Sequence, residues 1–221
     1  MAEREPRVVV KEVKNAKRWS DGTISLYMLR ASYPHVLDKY KGEDDDESKA
    51  KHSIVGLMPK RKAWRAAREL VLERINELMK ENKQTKMKAD NKFLRDGDLA
   101  GRDEYEKFWT INASESKKVS VRGADNRPLK KGKDDDVIYA GCWVNVVIRP
   151  WFMNNKFGKK INAGLVAVQL VPIKVVQETW AKASDEPFGN QRVSEQEIDE
   201  DFQNYGGDDD DDDYDDDDDD L

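Results

Sequence analysis

The stretch Asp136-Val-Ile-Tyr-Ala-Gly-Cys-Trp-Val-Asn-Val-Val-Ile-Arg-Pro-Trp-Phe152 decides the fold, together with Ile161-Asn-Ala-Gly-Leu-Val-Ala-Val-Gln-Leu-Val-Pro172 just beyond it. Ile138, Ala140, Cys142, Val144, Val146 and Ile148 form an apolar file at period two, the spacing of a strand that faces a core. The alternate positions hold Tyr139, Gly141, Trp143, Asn145, Val147, Arg149 and Trp151. A merely solvated face would carry Thr, Lys, Glu and Ser; this one carries rings beside an amide and a guanidinium. Between the two strands, Met153-Asn-Asn-Lys-Phe-Gly-Lys-Lys160 supplies turn residues, the cations Lys156, Lys159 and Lys160, and the ring of Phe157. Rings that stack on bases, next to cations that neutralise phosphates, are what a single-stranded nucleic-acid surface needs. A second reading stays open for Trp143 and Trp151: a further core on the other side of the sheet, covered by a helix.

Charge is divided along the chain. Of 45 acidic and 39 basic residues, 19 acidic and one basic (Arg192) lie from Asp185 onward. Residues 1–184 keep 26 acidic and 38 basic, a net of +12 against −18 for the remainder. A basic body tied to an acidic tail suits a polyanionic ligand and an internal competitor for it. The single cysteine, Cys142, excludes an internal disulfide and a multi-cysteine zinc site. Two histidines, His35 and His52, are poor material for metal or acid–base chemistry. With no long apolar run and no signal-like N-terminus, a soluble intracellular protein is expected, with no membrane partner, no metal and no cofactor.

Taken in order, Arg7–Val13 reads as a strand and Asp21-Gly22 as a turn. Thr23–Arg30 alternates, with Ile24, Leu26 and Met28 on one face and Ser25 and Tyr27 on the other; Tyr27 joins the candidate ligand contacts. Pro34 is expected to end that strand. Gly42–Ser48 is an acidic loop, and Lys51–Met58 a further strand. Pro59 opens a helix running to about Asn82, its apolar stripe formed by Ala63, Ala66, Ala67, Leu70, Val71, Ile75, Leu78 and Met79. Phe108, Trp109 and Ile111 resume a strand pattern, and Lys117–Arg122 gives another. A basic loop with Lys130, Lys131 and Lys133 follows, and Ile173–Trp180 is a candidate last strand. The carboxylates Asp96, Asp98, Asp103 and Glu104 lack regular metal-loop spacing, so turn chemistry is the expected role. Twelve aspartates in Asp208–Asp220, broken only by Tyr214 and followed by Leu221, form a self-repelling, disordered tail.

Six to eight short strands and one helix predict a mainly β (α+β) chain. The expected form is an OB-like Greek-key barrel over residues 1–183, with one long helix inserted between strands and an acidic tail over 184–221. Phe93-Leu-Arg-Asp-Gly-Asp98, Trp109-Thr-Ile-Asn-Ala-Ser114, Ile138–Asn145 and the run from Gly158 to Gln169 resemble phage-encoded single-stranded DNA-binding proteins. The resemblance implies a non-enzymatic replication and recombination accessory, often a homodimer, in the cytoplasm of an infected bacterial host. It further implies that the tail, here Asp208, Asp213, Tyr214, Asp220 and Leu221 with their neighbours, shields the DNA groove and docks replication proteins such as polymerase and helicase-primase. Two rivals differ in kind: a metal-dependent nuclease built on the carboxylates around Asp96 and Asp98, and an acidic-tail chaperone of basic proteins.

Overall fold

The computed structural model describes residues 7–42, 46–156 and 158–172. Its strands are β1 (Val9–Val13), β2 (Ala16–Trp19), β3 (Ile24–Tyr40), β4 (Lys51–Pro59), β5 (Leu94–Asp96), β6 (Phe108–Glu115), β7 (Ser120–Arg122), β8 (Trp143–Asn155) and β9 (Gly158–Val171). One α-helix, α1 (Lys62–Glu81), lies between β4 and β5. The residues from Ile173 onward, including the candidate strand to Trp180 and the aspartate run, lie outside the described residues, as does Phe157.

Strand β3 is long enough to serve two neighbours in the barrel, besides pairing with β2 over Ile24–Leu26. Ile24–Arg30 pairs antiparallel with β8, and Arg30–Tyr40 with β4. β4 pairs with β6, β6 runs parallel to β9, and β9 returns as a hairpin partner to β8. The circuit β3-β4-β6-β9-β8-β3 is a closed five-stranded barrel with the OB order of strands, as expected. Ile24, Leu26, Ile54, Ile111, Val144, Val146, Ile148, Ile161 and Leu165 fill its interior, none more than 2% exposed. The α1 stripe joins the same core through Trp64, Ala67, Leu70, Val71 and Ile75. The helical period placed this face correctly but omitted Trp64, which is 1% exposed and one of its largest members. The β1–β2 hairpin is tied to the polar side of α1, where the Arg18 guanidinium donates to both carboxylate oxygens of Glu77.

Two irregularities in β3 change the sequence reading. Leu26 pairs with Val146 but Leu29 with Val144, so β3 carries one extra residue there, and Met28 has φ +58°. Such a bulge reverses the alternation beyond it. Leu29 therefore turns inward at 0% exposure, and Tyr27 is buried at 1% instead of presenting its ring to a ligand. Burial drives the Tyr27 phenol well above its ordinary pKa. Further on, Pro34 does not end the strand. It lies within a second irregularity, between Ser32 and His35, where a missing ladder donor is tolerated.

Strand β8 begins at Trp143, later than the alternation suggested; Ala140 is exposed in the preceding turn. From Trp143 to Ile148 both faces of β8 are buried. Asn145 is satisfied on the second face by accepting from the Met28 backbone N–H at 3.1 Å. Its register partner Gln169 reaches Asn126 in the 123–142 connection. Trp143 is part of the main apolar core and 6% exposed, so the open choice for this ring resolves to packing.

Gly97 fixes the turn that follows β5. Its N–H donates to the Phe108 carbonyl at 2.9 Å, and a β-carbon there would lie 2.2 Å from the Tyr105 carbonyl oxygen and 2.4 Å from that of Phe108. Backbone atoms cannot swing aside as a flexible side chain would. Gly97→Ala is expected to lower stability by about 1–3 kcal/mol, as overpacking does. Chemical denaturation of the variant beside the wild type checks it, and an unchanged midpoint would contradict the tight turn.

Candidate nucleic-acid interface

A groove of about 350 Å³ crosses the outside of the barrel over β4, β6 and β9. The register places its parts in one line perpendicular to the strands. Ser32 on β3 pairs with Val55 on β4, and Val55 with Asn112 on β6. Ala113 lies level with Ala163, which brings Asn112 beside Asn162 on β9, and Asn162 pairs with Trp151 on β8. Cross-strand partners share a face. The floor is therefore made of short side chains, with Trp151, 45% exposed, standing at its β8 end. Arg149, also exposed, is one pleat along β8, opposite Gly164, which supplies no side chain to obstruct it.

The cations of the groove come from its rim. Lys160 on β9 lines it, and so do Lys92 and Arg95 from the segment that enters β5. A parallel bridge between Lys92 and Ile161 fastens that segment to β9. Arg95 is braced by donating to the carbonyls of Lys92 at 3.0 Å and Asp90 at 2.7 Å. Burial pulls the Lys92 ammonium below the ordinary lysine value. An approaching phosphate would favour the protonated form, so anion binding and Lys92 protonation are mutually supportive.

The other predicted contacts are distributed differently. Lys159 alternates with Lys160 and points away, donating to Gln84 just beyond α1 at 2.9 Å. Lys156 is exposed at the end of the β8–β9 hairpin. Lys130, Lys131 and Lys133 are exposed on the connection before β8, and Lys131 pairs with Asp38 of β3 at 2.7 Å. Asp134 holds that loop in shape: it accepts from the Arg127 guanidinium and the Lys130 N–H, which keep its carboxyl below the usual range. Tyr139 is 57% exposed on the same connection, which is anchored to β3 where Gly141 donates to the Ala31 carbonyl at 2.7 Å. None of these lysines, nor Tyr139, lines the groove. Lys92, Arg95 and Asn112 do, and sequence reading missed them. Arg95 carried a signal, since it interrupts the apolar start of Phe93-Leu-Arg-Asp.

The carboxylates considered for metal chemistry have a different occupant. Lys60 Nζ donates to Asp96 at 2.6 Å and Asp98 at 2.8 Å. Burial opposes the Lys60 charge, yet the two carboxylates more than offset it and hold its pKa above the ordinary lysine value. Asp98 also accepts the Lys107 N–H at 2.7 Å, and Asp96 the Asp98 N–H at 2.8 Å. Turn-building and charge pairing occupy this cluster, as the irregular spacing suggested.

A closed OB barrel with a basic, ring-ended groove laid across its strands defines the class of single-stranded nucleic-acid binders. Comparison with known proteins gives the family. Residues 23–214 match the family described as Enterobacter phage Enc34, ssDNA-binding protein, and the chain belongs to that family. Among solved structures it is similar to the single-stranded DNA-binding protein of bacteriophage Enc34 with a C-terminal truncation. That match has 37% identity and TM-score 0.69, covering 76% of this chain and 96% of that one. The same phage protein in complex with ssDNA matches at 36% identity and TM-score 0.69, covering 84% of this chain and 100% of the other. No curated protein matches the sequence significantly.

Trp143 and Trp151 occupy like positions on one strand and should respond oppositely to truncation. Trp143→Ala is expected to cost about 3–5 kcal/mol of stability. Trp151→Ala should leave the melting temperature nearly unchanged and weaken single-strand binding by about 1–3 kcal/mol. Thermal melts and fluorescence-anisotropy titrations on both variants check this; a large loss of stability for Trp151→Ala would assign that ring to packing.

Proposed function

We propose that this protein coats single-stranded DNA during phage replication and recombination, with the strand lying in the β4–β6–β9 groove and running from β3 to β8. The observation that carries this reading is the cross-strand line of small residues that ends at exposed Trp151, with Lys92, Arg95 and Lys160 lining the groove and Arg149 exposed one pleat from Trp151 on β8. Short floor residues let bases approach the sheet, the ring stacks on one of them, and the cations meet phosphates. Family membership supports the same reading, and the members of that family are binding proteins, not enzymes. Single strands are preferred over duplex because a ring reaches only the face of an unpaired base. The hairpin cations Lys156 and Lys159, the loop lysines Lys130, Lys131 and Lys133, and Tyr139 extend the contact surface beyond the groove; Phe157 is a candidate contact from the sequence alone.

In the same proposal the acidic tail is a tethered competitor. Twelve aspartates joined to a body of net charge +12 are present near the groove at an effective concentration on the order of millimolar. DNA displaces them, which frees the tail for replication proteins such as polymerase and helicase-primase. Its action belongs in the cytoplasm of the infected host, with a homodimer as the assembled form.

The test is a pair of binding isotherms across a salt series, for the full-length protein and for one lacking Asp208–Leu221. Truncation should raise affinity at low salt and steepen its fall with salt, since the tail and DNA are screened alike. Within either background, Lys160→Ala or Arg149→Ala should reduce the slope of log K against log salt by about 0.7 for each phosphate that is no longer neutralised. Equal affinity for single strands and duplex would contradict the stacking role. Weaker binding to basic proteins, with no gain in DNA affinity, would favour the chaperone.

A further inference from the structure

We propose that Tyr33, braced by Arg102, is a second base-stacking post at the β3 end of the groove. The inference rests on the single-strand reading of that groove and adds a ring and a cation to it. Tyr33 lines the groove and is 52% exposed. Its backbone has φ +45°, a region that bulky side chains rarely adopt. Strain of this kind persists where surrounding structure enforces it, and it is concentrated at working sites. Here it turns a large ring out of the β3 bulge, immediately after Ser32, the first member of the cross-strand line.

The ring is held in place. Arg102 Nη1 donates to the Tyr33 hydroxyl at 2.9 Å, and the guanidinium carbon lies 5.3 Å from the Tyr33 ring centre. The same guanidinium is 5.6 Å from the ring centre of Tyr105, which is buried and has its hydroxyl 3.4 Å from Ser32 Oγ. The residue before Tyr33 and the cation beside it are thus fixed by one anchored ring. With Arg102 seated, half of Tyr33 is still open to solvent. An aromatic face stiffened from one side and open on the other is pre-organised for a base, while Arg102, which also pairs with the exposed Glu104 at 3.6 Å, offers a guanidinium that an adjoining phosphate can share.

Position gives the post its purpose. From β3 to β8 the line crosses β4, β6 and β9, four interstrand steps, so the two rings stand on the order of 19 Å apart along the sheet. A strand lying in the groove meets Tyr33 at one end and Trp151 at the other. A very short oligonucleotide engages one ring only.

The experiment uses full-length protein and fluorescein-labelled oligothymidylates, one long enough to cross the whole groove and one of two nucleotides. The decisive variant is Tyr33→Gly, because glycine accepts the positive φ and relieves the strain. Its melting temperature should stay equal to or above that of wild type, while affinity for the long oligonucleotide falls about 5- to 150-fold, the range for loss of one stacked base. Arg102→Gln should weaken binding by a smaller factor, and Tyr33→Trp should keep affinity and add a DNA-dependent quench of tryptophan fluorescence. Tyr33→Gly within twofold of wild type, with no added quench in Tyr33→Trp, would overturn the proposal. If Trp151→Ala still loses affinity in that case, the groove remains the DNA site and only the second post is removed from it. If wild-type protein binds neither oligonucleotide, the single-strand reading fails and the post falls with it.

Discussion

The double pairing of β3 is the constraint on which the rest of the structure depends. One strand of 17 residues is hydrogen-bonded to β8 through its first half and to β4 through its second. Without that change of partner the sheet would stay open, with either β4 or β8 left as a free edge. A strand serving two neighbours must bend, and the extra residue at Met28 and the irregularity around Tyr33 and Pro34 supply the bends. Asn145 meets the first by accepting the Met28 N–H, and the Ser32–Tyr105–Arg102 group meets the second. Closure thus costs local regularity, and the side chains that settle each irregularity are the ones that link the barrel wall to its surface.

That geometry explains why the groove lies on the outside of β4, β6 and β9. The interior is taken by aliphatic side chains and by the α1 stripe around Trp64. Another part of the outer surface is taken by the 123–142 connection, near Asn126 and Gln169. On the groove side the turn after β5 covers Leu57 and Phe108 with Tyr105, forming a small separate apolar cluster. Beyond that cover the sheet presents Ser53, Val55, Asn112 and Asn162, too short to fill the space above them. Lys60, held between Asp96 and Asp98, keeps the covering turn attached at the start of α1.

Much of this was legible in the sequence. Period-two alternation located β4, β8 and β9, the helical period located α1, and the count of short strands with one inserted helix led to the OB barrel. Which ring of β8 faces a ligand was not legible. Trp143 and Trp151 share one parity, and only the cover over the first half of the strand separates a 6% exposed ring from a 45% exposed one. Tyr27 was misplaced for another reason: an extra residue reverses parity, and nothing in Leu-Tyr-Met-Leu announces a bulge. Local composition marked Lys130, Lys131 and Lys133 as basic but could not say that Asp38 and Asp134 anchor their loop beside β3. Tyr33 was hidden by Pro34, which reads as a strand end when the strand in fact continues through it.

The central claim is that a single strand lies across β4, β6 and β9 between β3 and β8. It is tested most directly by photocrosslinking a bromodeoxyuridine-substituted single strand to the full-length protein and mapping the attached peptides by mass spectrometry. The account predicts attachment at Trp151 and within residues 90–95, 112–114 and 160–162. Attachment confined to Lys130–Lys133 and Tyr139, with these segments unlabelled, would contradict it and move the DNA to the connection before β8.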